Sequence, residues 1–303
     1  MNTDILEIKP GWGPIKVNLN EVFRRWQAGR KPTVETVATR FLQLHQAHGV
    51  ATTQIPRFEP GLSLPALRTH ETLLTALTPE LLERTAFRFG IQRAWLEGVT
   101  DRLYRTWHCY KNSAAFFERL HALPFKQGDF QVRALTSAAK LDRRGGATQA
   151  IALVFVEKIA AVEDVGETWD IDRYHICGDG WDWAHYPCRI QLKALVRVVD
   201  QMGHQPVPLF RVSSVELEAV REGRMTPRSL VNRCLLSEPS LEDYSCSRQE
   251  HAQAKETEEL PAVFEYVERA GLARMWAQTP CAAEDSDESQ PTIVAAPLPS
   301  AAK

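Results

Sequence analysis

Residues 150–159 read AIALVFVEKI, a run rich in β-branched and aromatic side chains, and the fold turns on reading it as a strand. Upstream, Phe130-Gln131-Val132-Arg133-Ala134-Leu135 alternates with period two, which predicts a second strand. Arg143-Arg144-Gly145-Gly146 between them supplies residues able to take positive φ and predicts a hairpin-type turn. A third extended piece is expected over Thr168 to Ile176, ahead of Gly178-Asp179-Gly180.

The periodicity is helical on either side of these strands. Leu19, Val22, Phe23 and Trp26 predict a helix that Gly29 and Pro32 end. Thr33 is expected to cap a second helix carrying Val34, Val37, Phe41 and Leu44, which closes at His48-Gly49. Apolar residues keep helical spacing from there to about Leu123. Downstream, helices are expected at Ile190 to Met202, Val215 to Arg221 and Pro227 to Leu235, with a strand at Val207 to Val212. The expected class is α+β: an irregular arm (1–18), an all-α part (19–124), a smaller α+β part (125–236), a polar linker with a helix at Ala262 to Trp276 (237–280), and a disordered acidic tail (281–303).

The chain has 303 residues, 44% of them hydrophobic, with 36 Lys and Arg against 38 Asp and Glu. That balance excludes collagen-like, coiled-coil and wholly disordered chains. Apolar runs such as Ile151 to Val156 fall far short of the roughly 20 residues that a bilayer requires, so no membrane span is expected. The first residues lack a basic and apolar leader, and the 6 cysteines are scattered, which predicts a reduced, cytoplasmic protein. Charge is polarised: residues 1–130 hold 17 basic and 12 acidic side chains, leaving 19 and 26 for the remainder. A basic half suits a polyanionic partner.

Two stretches bear on that partner. HGVATTQIPRFEPG carries Gly49, Val50, Ile55, Glu59 and Gly61, and LLERTAFRFGIQRAWLEG carries Ala86, Phe89, Gly90, Ile91, Trp95, Leu96 and Gly98. Together, over roughly residues 34–99, they resemble the lambda-repressor and Cro type of helix-turn-helix domain, the XRE family. The resemblance implies an all-α unit that places one helix in the major groove of double-stranded DNA. It implies that Thr52, Thr53 and Gln54 meet base edges, with Arg57 on a guanine or a phosphate. Arg24, Arg25, Arg30, Lys31, Arg40 and Arg68 are expected on phosphates. Two residues depart from the family pattern: His45 stands where a small residue is usual, and Pro56 disfavours helix at Ile55. The downstream stretch is a second window, with Gln92 and Arg93 as its readers, and ranks after the first.

His175, Cys177, His185 and Cys188 form a group of zinc-ligand types, but their spacing is not that of a finger, and a packed aromatic loop is the expected outcome. Trp169, Tyr174, Trp181, Trp183 and Tyr186, interleaved with Asp170, Asp172, Asp179 and Asp182, suit either a ligand pocket or a plugged sheet end. No phosphate loop or nucleophile elbow occurs, and Glu157-Lys158 has the wrong order for a nuclease element. The expectation is therefore a transcriptional regulator and not an enzyme, with no cofactor and no metal. Its α+β half is expected to mediate homo-oligomerisation or to sense a small-molecule or protein effector. The alternatives are an adaptor of a mobile-element or phage-defence system and, third, a nucleic-acid-modifying enzyme.

Overall fold

A computed structural model describes residues 34–121, 130–164, 167–203, 207–231, 257–272 and 274. The helix expected at Leu19 to Trp26, the arm, most of the polar linker and the tail lie outside these residues.

The fold is α+β, built on a five-stranded mixed sheet. β1 (Thr106–Trp107), β2 (Phe130–Thr136), β3 (Ala150–Asp164), β4 (Glu167–Asp182) and β5 (Leu209–Arg211) stand in the order β1-β4-β3-β2-β5. The two outer pairings, β1 with β4 and β2 with β5, are parallel, and the inner ones are antiparallel. All four predicted strands form, the last of them shortened to Leu209–Arg211. β4 runs on through Gly178-Asp179-Gly180 instead of stopping before it, because β3 continues to pair with it beyond the glycines, Ile151 with Trp181 and Ala150 with Asp182, while β1 lies along its other edge at Ile176 and Cys177. The turn expected at Arg143 to Gly146 sits inside a longer connection, residues 137–149, where the Gly145 N–H donates to the Asp142 carbonyl.

Both faces of the central hairpin are covered. Ala152, Val154 and Val156 point to one side with Tyr174 and Ile176, and Ile151, Leu153 and Phe155 point to the other with Cys177 and Trp181. The first face carries the N-terminal helical layer: α1 (Val34–Ala47), α2 (Ile55–Phe58), α3 (His70–Ala76), α4 (Pro79–Phe89) and α5 (Arg93–Leu96). The second carries α6 (Ser113–His121) and α7 (Tyr186–Gly203). After β5 come α8 (Ser214–Arg221) and α9 (Arg228–Val231), whose Leu217, Val220, Leu230 and Val231 join the first core. α10 (Leu260–Arg269) lies on α7 and buries Val263 in the second core, so the helix expected in the polar linker belongs to the packed structure.

The sequence places a boundary near residue 124, but the apolar core crosses it. Phe41, Leu44, Ile55, Phe89 and Trp95 share one cluster with Leu135, Val154 and Ile176. At the centre of that contact His48 Nε2 lies 3.0 Å from Tyr104 Oη, and its ring stands 5.8 Å from that of Tyr174. His48 Nδ1 lies 2.9 Å from the Leu44 carbonyl oxygen. A carbonyl can only accept, so Nδ1 carries the proton and Nε2 accepts from Tyr104.

Local sequence explains the helix ends. The Thr78 hydroxyl caps α4 by accepting the Leu81 N–H at 3.2 Å, and Pro79 follows at a position where no N–H is required. Thr78→Ala is expected to cost about 1 kcal/mol in urea unfolding, with an unchanged m-value. An unchanged midpoint would show that the α4 cap contributes nothing. Ser213 and Glu216 close a reciprocal capping box at the start of α8.

Candidate nucleic-acid interface

The first window forms a helix, a turn and a second, short helical segment. α1 ends in the N–H bonds of His48, Gly49 and Val50 to Leu44, Gln46 and His45, with Gly49 at φ +81°, a value its lack of a Cβ permits. Val50 and Ile55 are buried against α1, as the resemblance implies. The next segment is a single 3-10 turn, Thr52–Gln54, running into the four-residue α2. Thr52, Thr53 and Arg57 are exposed along it.

Gln54 is not exposed, which corrects the expectation that it faces a groove. Its Oε1 accepts the Ala51 N–H at 2.9 Å, and the side chain is buried. Here the amide satisfies the start of the turn and leaves no free edge for adenine. Glu59 likewise turns inward. It is buried, accepts the Thr85 hydroxyl at 2.9 Å, and has His45 Nε2, Arg84 Nε and Arg88 Nη1 each at 3.6 Å. His45 fits where a small residue is usual because its Nδ1 bonds the Phe41 carbonyl at 2.8 Å and its other nitrogen faces this carboxylate.

The second window keeps its turn, but its readers are engaged by other residues of the chain, Arg93 at the surface. Gln92 Nε2 donates to the carbonyls of Arg102 at 3.0 Å and Tyr104 at 3.1 Å. Arg93 is clamped between Glu97 at 2.7 Å and Glu83 at 3.2 Å. Arg40, expected on a phosphate, instead lies over the Trp95 ring and donates from Nη1 to the Trp95 and Thr100 carbonyls, tying α1 to the end of α5. Arg24, Arg25, Arg30 and Lys31 lie outside the described residues, whereas Arg68 is exposed. Residues 34–105 carry eight basic against seven acidic side chains, so the basic excess of the N-terminal half comes mainly from outside the described helical layer.

The four zinc-type residues do not converge. His175 Nε2 meets Glu157 at 2.9 Å, and burial lowers its pKa although Glu157 opposes the shift. His185 Nδ1 lies 3.0 Å from Cys188 Sγ, which in turn donates to Tyr110 Oη. Cys177 faces neither, and its neighbour is Cys109, at 3.4 Å between sulfurs. The Cys177 sulfur, followed by burial, pushes the Cys109 thiol well above the ordinary thiol range. Asp179 completes this group, with one oxygen accepting the N–H groups of Cys109 and Tyr110 and the other 3.1 Å from His108 Nδ1. In the sequence His108 and Cys109 are merely adjacent, and β1, which brings them beside Cys177 and Asp179, is too short to show periodicity.

The aromatic residues do not form one cluster, and Tyr186 is half exposed beside Arg189. Tyr174 points into the first core and Trp181 into the second, while Trp183 is buried beside Lys193. Among the described residues no helix is long and apolar enough to cross a membrane. Comparison with protein-family models, curated proteins and solved structures finds no match.

Proposed function

We propose that the protein binds double-stranded DNA, as a transcriptional regulator, through the outer edge of the first window. The observation that carries this is the arrangement after Gly49: Val50 and Ile55 are locked against α1, while Thr52, Thr53 and Arg57 project outward from one short helical segment. Hydroxyls at the N-terminal end of such a segment and a guanidinium near its C-terminal end suit base edges and phosphates. Arg68 and the basic side chains before residue 34 add sequence-independent attraction, and self-association through the α+β part would supply paired half-sites.

Selection of bound duplexes from a random pool by the full-length protein, followed by titration in salt, is the test. Retention should fall steeply as salt rises. Arg57→Ala should weaken the selected site by about 1–3 kcal/mol and relax preference at one position. Gln92→Ala and Arg93→Ala should leave the preference unchanged, because both side chains serve internal contacts. No enrichment at low salt would overturn DNA binding.

A second reading, a protein-interaction module, is favoured by Phe87. It is 76% exposed on α4, at a shallow, open cleft of about 540 Å³ with Pro79, Glu83 and Arg93. Phe87→Ser separates the two readings: under DNA binding it leaves duplex retention unchanged, and under the module it abolishes association with the partner.

A further inference from the structure

We propose that Cys109, Cys177 and Asp179 hold a zinc ion at the junction of β1 and β4, with His108 as the fourth ligand on the solvent side. Sulfur and carboxylate atoms of the first three all lie within 4.8 Å of one another. The sulfurs are 3.4 Å apart, and Cys177 Sγ is 3.5 Å from Asp179 Oδ2. Tetrahedral zinc with Zn–S near 2.3 Å and Zn–O near 2.0 Å sets sulfur–sulfur and sulfur–oxygen edges of about 3.7 and 3.5 Å. The sulfur–sulfur edge therefore opens by only a few tenths of an ångström, while Asp179 and His108 turn about their side-chain bonds to bring Oδ1 and the imidazole onto the ion.

The sheet builds this group. Parallel pairing of Trp107 with Cys177 brings the next residues of both strands side by side, so that Cys109 comes to lie beside Cys177 and Asp179. Gly178 is the close approach that permits it, because a Cβ there would stand 3.0 Å from His108 Cε1 and 2.9 Å from the Arg221 carbonyl oxygen. Both cysteines are buried, whereas His108 is 67% exposed and can turn about its own side-chain bonds.

The surrounding hydrogen bonds are those of an outer shell. The N–H groups of Cys109 and Tyr110 hold Asp179 at 2.5 and 2.8 Å, which leaves Oδ1 for a cation. Gln191 donates to the Cys109 carbonyl and is itself held by Trp181 Nε1. Two thiolates with one imidazole and one carboxylate favour zinc over calcium or magnesium, whose ligand sets are oxygen alone. Such a site would fasten the two-residue β1, and with it the exit from the helical layer, to the sheet edge.

Cobalt(II) added to reduced, chelator-stripped full-length protein is the probe. One equivalent should raise a near-ultraviolet thiolate-to-cobalt band together with intense visible bands of tetrahedral cobalt, and one equivalent of zinc should abolish both. Cys109→Ser and Cys177→Ser should each remove the thiolate band. Cys188→Ser should leave it intact, because that sulfur belongs to the Tyr110 and His185 contacts. His108→Ala should retain the thiolate band and shift the visible bands. Where the serine variants fail to fold, X-ray absorption on the zinc-loaded native chain should count two sulfur neighbours. Absence of the bands in the native chain, their survival in both serine variants, or a Cys109–Cys177 disulfide that forms under reductant with zinc in excess would overturn the site.

Discussion

Glu259→Ala is expected to destabilise the protein by about 3–5 kcal/mol in urea unfolding, the range for removing one partner from a buried ion cluster. Glu259 is 8% exposed and accepts from Arg189 Nη2 and Lys193 Nζ, each at 2.6 Å. Lys193 is 1% exposed, so without the carboxylate its ammonium stays buried against the Trp183 ring and loses the counter-charge it holds at 2.6 Å. Burial by itself would raise the Glu259 pKa, but Arg189 and Lys193 outweigh it and lower it to about 2. The carboxylate's stabilising contribution is therefore complete above its ordinary pKa of 4.5 and is lost as pH falls toward about 2. Replacing Arg189, Lys193 and Glu259 together by apolar side chains of similar volume should restore most of the loss. If Glu259→Ala shifts the midpoint by no more than a surface change does, α10 is not anchored through this carboxylate.

The second large effect is on pH dependence and centres on His48. Burial lowers its pKa from 6.5 to about 3; the Leu44 carbonyl opposes this, and His45 and Arg228 add to it. In the folded chain the ring stays neutral while the unfolded chain takes up a proton below pH 6.5. Stability conferred by the neutral ring is thus fully present above that pH and drains away as pH falls toward about 3. The full loss is on the order of 5 kcal/mol, and most of its window lies above that of Glu259. Unfolding free energies measured from pH 7.5 to 5, a range fixed by the ordinary histidine value, should decline in the native chain and decline less steeply in His48→Gln, where the buried His175 still contributes. Parallel slopes for the two proteins would move the titrating group elsewhere.

The strands were legible because each carries enough β-branched and aromatic residues to fill a buried pleat. Gly178 and Gly180 misled at the end of β4. Glycines often stop a strand, but here they let His108 and the Arg221 guanidinium lie across it. β1 has two residues and its partner lies some seventy positions away, so nothing local marks it, and the Cys109–Cys177–Asp179 group it creates was hidden with it. In the first window, spacing correctly sent Val50 and Ile55 inward. It missed Gln54 because a glutamine three residues after the start of a turn can reach back to a free N–H. Arg40 was missed for a related reason: a guanidinium on α1 finds an aromatic face and two carbonyls within the protein before it meets a phosphate.

Alternation fixes the alignment of two strands when one face is wet, because a slip of one residue then drives polar groups into the core. β3 and β4 are dry on both faces over residues 151–156, and there a slip exchanges one apolar row for another. The penalty for misalignment falls on the next two positions. Glu157 would leave His175 at 2.9 Å and Arg173 at 3.4 Å for a position in the opposite, apolar row, and Lys158 would lose Asp170 at 2.8 Å. These few charges act as the index mark by which a long hairpin recognises the one correct pairing among several of similar apolar content.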